Sequence, residues 1–489
     1  MKHKKLFIAL TTILSVVVCF AIFISVWYLG DFYPDFRSAE QEFDIPGLDE
    51  GAVPQGMGSC YANYTVETVK QETVTDENGN ESVRDVVTTE TKMQPYFFIS
   101  AYMNDKSPSR IYVIGGETGY VGYVTLNGED GEPFYGHCGG IAINNHVRSD
   151  GNAITAPKYA KYYTLWITCD STVYVAKCSD AYANANKSIA QEIVEKAARI
   201  KLPSEGGEDE NAEYDFSVKF TASFNANCRA SFCYYYDDPY YGGSVSSITY
   251  DRLYVGEFYN GKKYKTDDSH KMTTPNGYEN TAVMYEYNVA TEDSGSEDKY
   301  NEYGLVKINN NDSKNSTDPV PEESRVPVIQ KVFSLPEKIQ GVAWAGRDRY
   351  GSNNGILILS QSYGLANSHL LCFDYKKIIT NANRKSFSEI NDNVNFTYEG
   401  IRRTSGNAYT DPSLNVYFVD KANREMFVDD LSIPSMSEAL CNVTPPTSGN
   451  KGRTKFYVLF ESGSKKYRAF VRSKTTNVYS LRFQRLDAE

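Results

Sequence analysis

The sequence predicts an all-β protein: a single β-propeller of five four-stranded blades, set behind an N-terminal transmembrane helix. Three observations predict it. The first is a short lead that recurs five times, in which a polar or small residue and a tiny residue run into an apolar one: Gln55-Gly56-Met57, Gly139-Gly140-Ile141, Ala230-Ser231-Phe232, Gln340-Gly341-Val342 and Glu438-Ala439-Leu440. The second is a hydrophobic run after each lead, ending in Ser, Thr, Gly or Glu: Tyr96–Ser100, Leu165–Thr168, Leu253–Gly256, Ile356–Ser360 and Tyr457–Glu461. The third is that two more strand-like runs complete each repeat. Third strands are expected at Arg110–Ile114, Thr172–Ala176, Ala282–Val289, His369–Tyr375 and Tyr467–Arg472. Fourth strands are expected at Tyr120–Leu126, Phe216–Phe220, Val326–Phe333, Arg424–Asp429 and Val478–Phe483. Each is apolar or alternating over 4–8 residues between turn residues, as strands are.

First strands of a propeller crowd around the central channel, which explains the small residue in each lead. The phrases Phe333-Ser-Leu-Pro336 and Leu431-Ser-Ile-Pro434 precede two of the leads, and Phe43-Asp-Ile-Pro46 precedes the first. An N-terminal stretch that resembles a blade's outer strand predicts ring closure, with residues 42–46 pairing into the last blade. Open sheet edges would otherwise invite aggregation.

Taken from Gly56, Gly140, Ser231, Gly341 and Ala439, the leads stand 84, 91, 110 and 98 residues apart. A blade needs about 40–50 residues, so every blade carries an insertion. A sixth, degenerate blade would have to lie within the interval of 110 residues. Residues 63–93 read as a polar hairpin turning at Asn78-Gly79, a strong hairpin signal. Residues 184–201 place Ile189, Ile193, Val194 and Ile200 at helical spacing and stop at Pro203. Residues 204–214 and 291–323 are acidic or Asn/Ser-rich and read as loops.

The N-terminus carries the targeting signal. Lys2, Lys4 and Lys5 precede 24 uncharged residues, Leu6 to Leu29, with Trp27 and Tyr28 at interfacial positions. That length spans a hydrocarbon core of ~30 Å, and the Lys cluster leaves the N-terminus in the cytoplasm and the remainder outside. A cleaved signal peptide is the competing reading, but no convincing cleavage site precedes Asp31. The expected organisation is a cytoplasmic stub and signal anchor over 1–30, a linker over 31–42 and an extracytoplasmic propeller over 43–489, held to the cell membrane by the single N-terminal helix.

Beyond residue 30 the chain has 47 basic and 62 acidic side chains, a balance of −15. That argues against nucleic acid and against docking on anionic lipid. Eight of the nine Cys lie beyond the apolar segment, an even number in a disulfide-permissive compartment. No C-x-x-C occurs, and Cys233, Cys372 and Cys441 sit within apolar runs, where a Cys acts as a small hydrophobe.

Ile45-Pro46-Gly47-Leu48, Val53-Pro54-Gln55-Gly56, Pro108-Ser109-Arg110-Ile111-Tyr112, Gly136-His137-Cys138-Gly139-Gly140-Ile141-Ala142 and Phe460-Glu461-Ser462-Gly463 together resemble a group of secreted or membrane-anchored bacterial propellers. The group is distantly related to lactonase-like and NHL-type members with five or six blades, and the resemblance covers nearly all of residues 43–486. It implies the fold and a surface location, with no reaction to carry onto particular residues. The group often has Ala in place of Cys138, which argues against catalysis by that thiol.

The candidate site is the mouth of the channel, where the starts of first strands and the ends of second strands converge. Gln55, His137, Glu257, Gln340, Gln361, Glu438 and Glu461 fall there. Paired carboxylates with pKa values pushed apart suit acid/base chemistry, and oxygen-rich clusters equally suit Ca²⁺. The plain reading is that polar side chains around the channel bond to one another, to backbone and to water. His146, His270 and His369 have no partners at zinc-site spacing, Gly139-Gly140 lacks the context of a phosphate loop, and no serine-hydrolase elbow occurs. The run Tyr234-Tyr235-Tyr236-Asp237-Asp238-Pro239-Tyr240-Tyr241 reads as a platform for sugar rings or as packing. Two functions stay open: recognition of a glycan, peptide or protein at the cell surface, and hydrolysis or elimination on a polysaccharide or lactone by mouth carboxylates.

Overall fold

The structure, a computed structural model, describes residues 2–29, 36, 38–75, 78–79, 81–144, 164–185, 187–199, 216–226, 228–236, 251–261, 264, 270–289, 302–305, 327, 329–345, 355–364, 366–386, 415–443, 455–460 and 477–482. Helix α1 (Lys2–Leu29) comes first, followed by strand β1 (Glu40–Asp44). Blade I is β2 (Ala52–Thr75), β3 (Glu81–Met103), β4 (Arg110–Gly115) and β5 (Gly119–Asn127). Blade II is β6 (Cys138–Ile143), β7 (Thr164–Cys169) and β8 (Thr172–Lys177), then helices α2 (Asp180–Asn184) and α3 (Ile189–Arg199), a detour strand β9 (Ser217–Lys219), and its own fourth strand β10 (Ala222–Asn225). Blade III is β11 (Ala230–Tyr236), β12 (Arg252–Glu257), a small hairpin β13 (Met272–Thr273) and β14 (Glu279–Asn280), then β15 (Ala282–Asn288) and β16 (Ile329–Leu335). Blade IV is β17 (Ile339–Ala345), β18 (Ile356–Gln361) and β19 (Ser368–Asp374), then helix α4 (Tyr375–Ile378), strands β20 (Arg384–Ser386) and β21 (Asn415–Phe418), and finally β22 (Phe427–Ile433). Blade V is β23 (Ser437–Val443), β24 (Lys455–Phe460) and β25 (Asn477–Arg482), with β1 as its fourth strand.

The first strands β2, β6, β11, β17 and β23 each pack on the next, and β23 returns to β2. This is a closed five-bladed propeller, and the third interval holds the β13–β14 hairpin in place of a sixth blade. Consecutive residues of the second strands serve opposite neighbours, as a period of two requires. Tyr96 and Phe98 join the core shared with blade II. Phe97 and Ile99 join the core shared with blade V. Burial on both faces is why these strands read as unbroken hydrophobic runs.

The lead residues mark a β-bulge in every first strand. Register shifts fall between Pro54 and Gly56, Cys138 and Gly140, Ala230 and Phe232, Ile339 and Gly341, and Ser437 and Ala439. The inserted residues are Gln55, Gly139, Ser231, Gln340 and Glu438. The third lead is therefore one residue later than expected, with Phe232 where other blades have Gly or Ala. Glycine is required at the equivalent place in blade II, where a Cβ on Gly140 would come within 2.4 Å of Cys233 N and 2.7 Å of Phe232 Cα. In blade III the large residue is accommodated because its cross-strand partner is Gly256, whose own Cβ would strike the Phe232 ring at 1.9 Å.

Two further expectations are corrected. The segment 216–220 is not the fourth strand of blade II: β9 pairs in parallel with β5 of blade I, and β10 completes blade II. In blade IV, β21 likewise pairs in parallel with β16 of blade III before β22 completes the blade. Phe220 N–H donates to Asn127 O at 3.0 Å and Val419 N–H to Ser334 O at 2.9 Å, the same device twice. Each insertion thereby covers the outer edge of the preceding blade, which would otherwise expose unpaired backbone. In blade V the expected third strand 467–472 lies outside the described residues, and β25, expected as the fourth strand, is the third.

Closure comes from β1, paired with β25 over Glu40–Asp44, two residues before the expected start. Phe36 is buried against Phe460 and Tyr479, with centroids at 5.7 and 4.9 Å, so part of the expected linker belongs to the folded unit.

Candidate functional site at the channel mouth

Five bulges around the axis place one extra residue per blade at the starting end of each first strand, and a bulge re-aims the side chain it carries. Gln55, Gln340 and Glu438 occupy these equivalent positions. Gln55 and Gln340 are half-buried and Glu438 is buried. Glu257 and Gln361 end their second strands, opposite Ala230 and Ile339, the residues just before the bulge.

Several of the polar side chains here have partners within the protein, whereas Ser231 Oγ and Thr168 Oγ1 are buried without one among the described residues. Gln55 Nε2 donates to Pro54 O at 2.9 Å, and Gln361 Nε2 donates to Glu337 O at 2.8 Å. Ser100 Oγ accepts from Gly56 N–H at 3.1 Å and donates to Cys138 O at 3.4 Å, tying blade I to blade II. Ser360 does the same between blades IV and V, 3.1 Å from Ser437 O and 2.7 Å from Ser437 Oγ. His137 lies outside the strands, exposed, with its ring stacked on Tyr102 at 4.4 Å. Glu461 lies outside the described residues.

The structure joins Glu257 to a residue that sequence reasoning had set aside. His270 Nδ1 stands 2.9 and 3.2 Å from the Glu257 carboxylate oxygens, and Val283 N–H donates to Oε2 at 3.2 Å. Both side chains are buried. Burial pushes the Glu257 carboxyl above the ordinary range, against the opposing pull of His270 and the backbone donors. The pairing links a strand end to an insertion, and no spacing rule reports it.

The opposite ends of the first strands are closed by side chains. Tyr234 on β11 donates to Asn442 Oδ1 on β23, a bond between non-neighbouring blades that must cross the axis. Asn442 Nδ2 donates to Trp344 O at 2.8 Å, and Ser59 Oγ donates to Asn442 O at 2.8 Å. Tyr234 and Tyr236 pack on Trp344 with centroids at 5.4 and 5.5 Å, and Tyr235 donates to Asp251 Oδ2 at 2.6 Å. The first three tyrosines of the run are thus structural, and residues 237–241 lie outside the described residues.

All nine cysteines are free. Cys138 and Cys169 oppose each other across β6 and β7. Burial holds the Cys138 thiol well above its ordinary pKa and raises that of Cys169 to about 11, so neither is a ready thiolate at neutral pH. Among the described residues, no group of three or more His, Cys, Asp or Glu gathers as a metal site.

Side chains of α1 are placed for residues 4–5 and 8–23, and Ile8, Leu10, Ile13, Leu14, Val16, Val17, Phe20 and Phe23 are all exposed. Among the described residues, no helix is long and apolar enough to cross a membrane. No protein family matches the chain, and no curated protein is similar enough to count as a relative.

Proposed function

We propose that this chain is an envelope-anchored, extracytoplasmic recognition or scaffold propeller, taking a glycan, peptide or protein at the face that carries its insertions. The observation that carries this reading is that several of the mouth side chains are already committed to partners within the protein, with Ser231 Oγ and Thr168 Oγ1 buried without one among the described residues. Gln55 and Gln361 are bonded to backbone, Glu257 is held by His270 and Val283, and the far end is crossed by Tyr234 and Asn442. An acid/base catalyst needs two groups aimed at one reacting centre, whereas a scaffold needs a rigid ring that presents loops. Anchoring is supported by the apolar residues exposed along α1 and by Lys2, Lys4 and Lys5 before it.

The test is a thermal-melt panel on the full-length protein in detergent, with EDTA, Ca²⁺ and a set of cell-wall and plant glycans. A ligand at about 100 times its dissociation constant stabilises by ~2.7 kcal/mol, which is easily seen as a shift. A glycan-dependent shift that survives Glu438→Gln and Glu257→Gln supports recognition. Turnover of any panel member, lost in either variant at unchanged melting temperature, would replace it with the hydrolase or lyase reading. The anchor is tested separately: the protein should stay with membranes after a carbonate wash, and release of a product starting near Asp31 would overturn that part.

A further inference from the structure

The long hairpin of blade I extends beyond the blade. Strands β2 and β3 pair without a break from Asn63↔Met93 to Thr75↔Glu81, yet β4 pairs with β3 only over Tyr96–Ala101. The outer part is a two-stranded ribbon, with Val69, Val74, Val83 and Val87 exposed. Among the described residues no third strand joins it. A lone two-stranded ribbon is marginal in water, and its open edges are templates for pairing.

The polarity of the β2 edge can be read from its base. Asn63 N–H donates to Gln191 Oε1 at 2.8 Å, and Gln191 Nε2 donates to Asn63 O at 3.1 Å. The backbone polar groups of Asn63 therefore face away from β3, and Gln191 of α3 stands in for a neighbouring strand at that one residue. Strand alternation then turns the groups of Thr65, Glu67, Val69, Gln71 and Thr73 to the same open edge.

We propose that this ribbon is a dimerisation arm, joining two copies of the chain by antiparallel pairing of their β2 edges about a two-fold axis at Gln71. The sequence Thr68-Val69-Lys70-Gln71-Glu72-Thr73-Val74 is self-complementary in that register. Gln71 meets its own copy through outward-facing backbone groups, Val69 meets Thr73, and Thr68 meets Val74. Lys70 falls opposite Glu72 of the partner subunit, and Glu72 falls opposite Lys70 of the partner subunit. Those two ion pairs occupy non-hydrogen-bonded positions, where facing side chains are closest. Moving the axis one residue either way sets Lys70 or Glu72 against itself, which like-charge repulsion disfavours.

The experiment is sedimentation of the full-length chain in detergent micelles, wild type against Lys70→Glu and Glu72→Lys. Wild type should be dimeric. Lys70→Glu sets Glu against Glu72 of the partner subunit twice and should weaken association about tenfold. Within its own ribbon Lys70 faces Val86, so the variant should melt like wild type. Glu72→Lys sets Lys against Lys70 of the partner subunit twice. Because Glu72 faces Arg84 within its own ribbon, it is made together with Arg84→Glu, which keeps that cross-strand pair opposite in charge. An equal mixture of the two variants restores both ion pairs, so the mixed dimer should form as readily as wild type. A monomeric wild type, a Lys70→Glu dimer of undiminished strength, or a mixture that stays monomeric would each overturn the proposal.

Discussion

Two buried glutamates on neighbouring strands of blade III, Glu257 on β12 and Glu286 on β15, have opposite electrostatic settings. Each is about 1% exposed. Around Glu257 the neighbours are His270 and the Val283 N–H, and burial prevails, so its pKa rises. Around Glu286 burial also pushes upward, but Arg252 and Lys331 outweigh it and the pKa falls. Lys331 Nζ bonds Glu286 directly, Arg252 Nε lies 4.0 Å from its Oε1, and Tyr254 donates to its Oε2 at 2.8 Å. Equal burial does not set the charge of a carboxylate; the full cations within reach do. The pKa of the mouth-side glutamate is raised, while that of the one deep in the sheet is lowered by its cations.

The largest expected effect is at Glu286. Glu286→Ala leaves Arg252 and Lys331 without their shared anion and should cost about 3–5 kcal/mol in urea unfolding. A loss below about 1 kcal/mol would mean the network is screened by water and the contrast with Glu257 is illusory. Next is Tyr254→Phe, which removes a hydrogen bond to a charged acceptor and should cost about 1.5–3 kcal/mol. Glu257→Gln should be milder, within about 1 kcal/mol, because the amide keeps an acceptor for Val283 N–H and sheds the cost of a buried charge. A greater loss there than at Glu286 would reverse the comparison.

The smallest effects, and the sharpest in sign, are in pH dependence. The lowered pKa of Glu286 contributes stability present above the ordinary glutamate value of ~4.3 and lost as pH falls through the lowered one. The raised pKa of Glu257 contributes stability present below ~4.3 and lost as pH climbs through the raised one. Glu286→Gln should therefore flatten the acid limb of a stability profile, and Glu257→Gln the limb above it. Identical profiles for the two variants would refute the assignment.

Much of the fold was legible because propeller blades repeat. The bulge in each first strand, the run in each second strand and the Ile45-Pro46 phrase all report local backbone needs, and they located β2–β4, β17–β19 and the closure by β1. The detour strands were not legible. Residues 217–219 have the pattern of any strand, and only the open edge of β5 decides that they pair there before β10 completes blade II. Of the mouth candidates, Gln55, Gln340 and Glu438 do occupy equivalent bulges. His270 was missed because its partner Glu257 is set by how an insertion folds back, not by spacing.

The sequence by itself determined the five visible copies of the blade repeat, the crowding at Gly140 and the hairpin turning at Asn78-Gly79, since each follows from periodicity or from backbone conformation at a few adjacent residues. That the ring closes at five blades came from the packing of β23 on β2. Only the tertiary structure decided which blade edge each insertion covers, that Tyr234 reaches Asn442 across the axis, and which buried glutamate has its pKa raised and which lowered. Those outcomes depend on groups far apart in the chain brought within hydrogen-bond or Coulomb range. No local pattern encodes such distances.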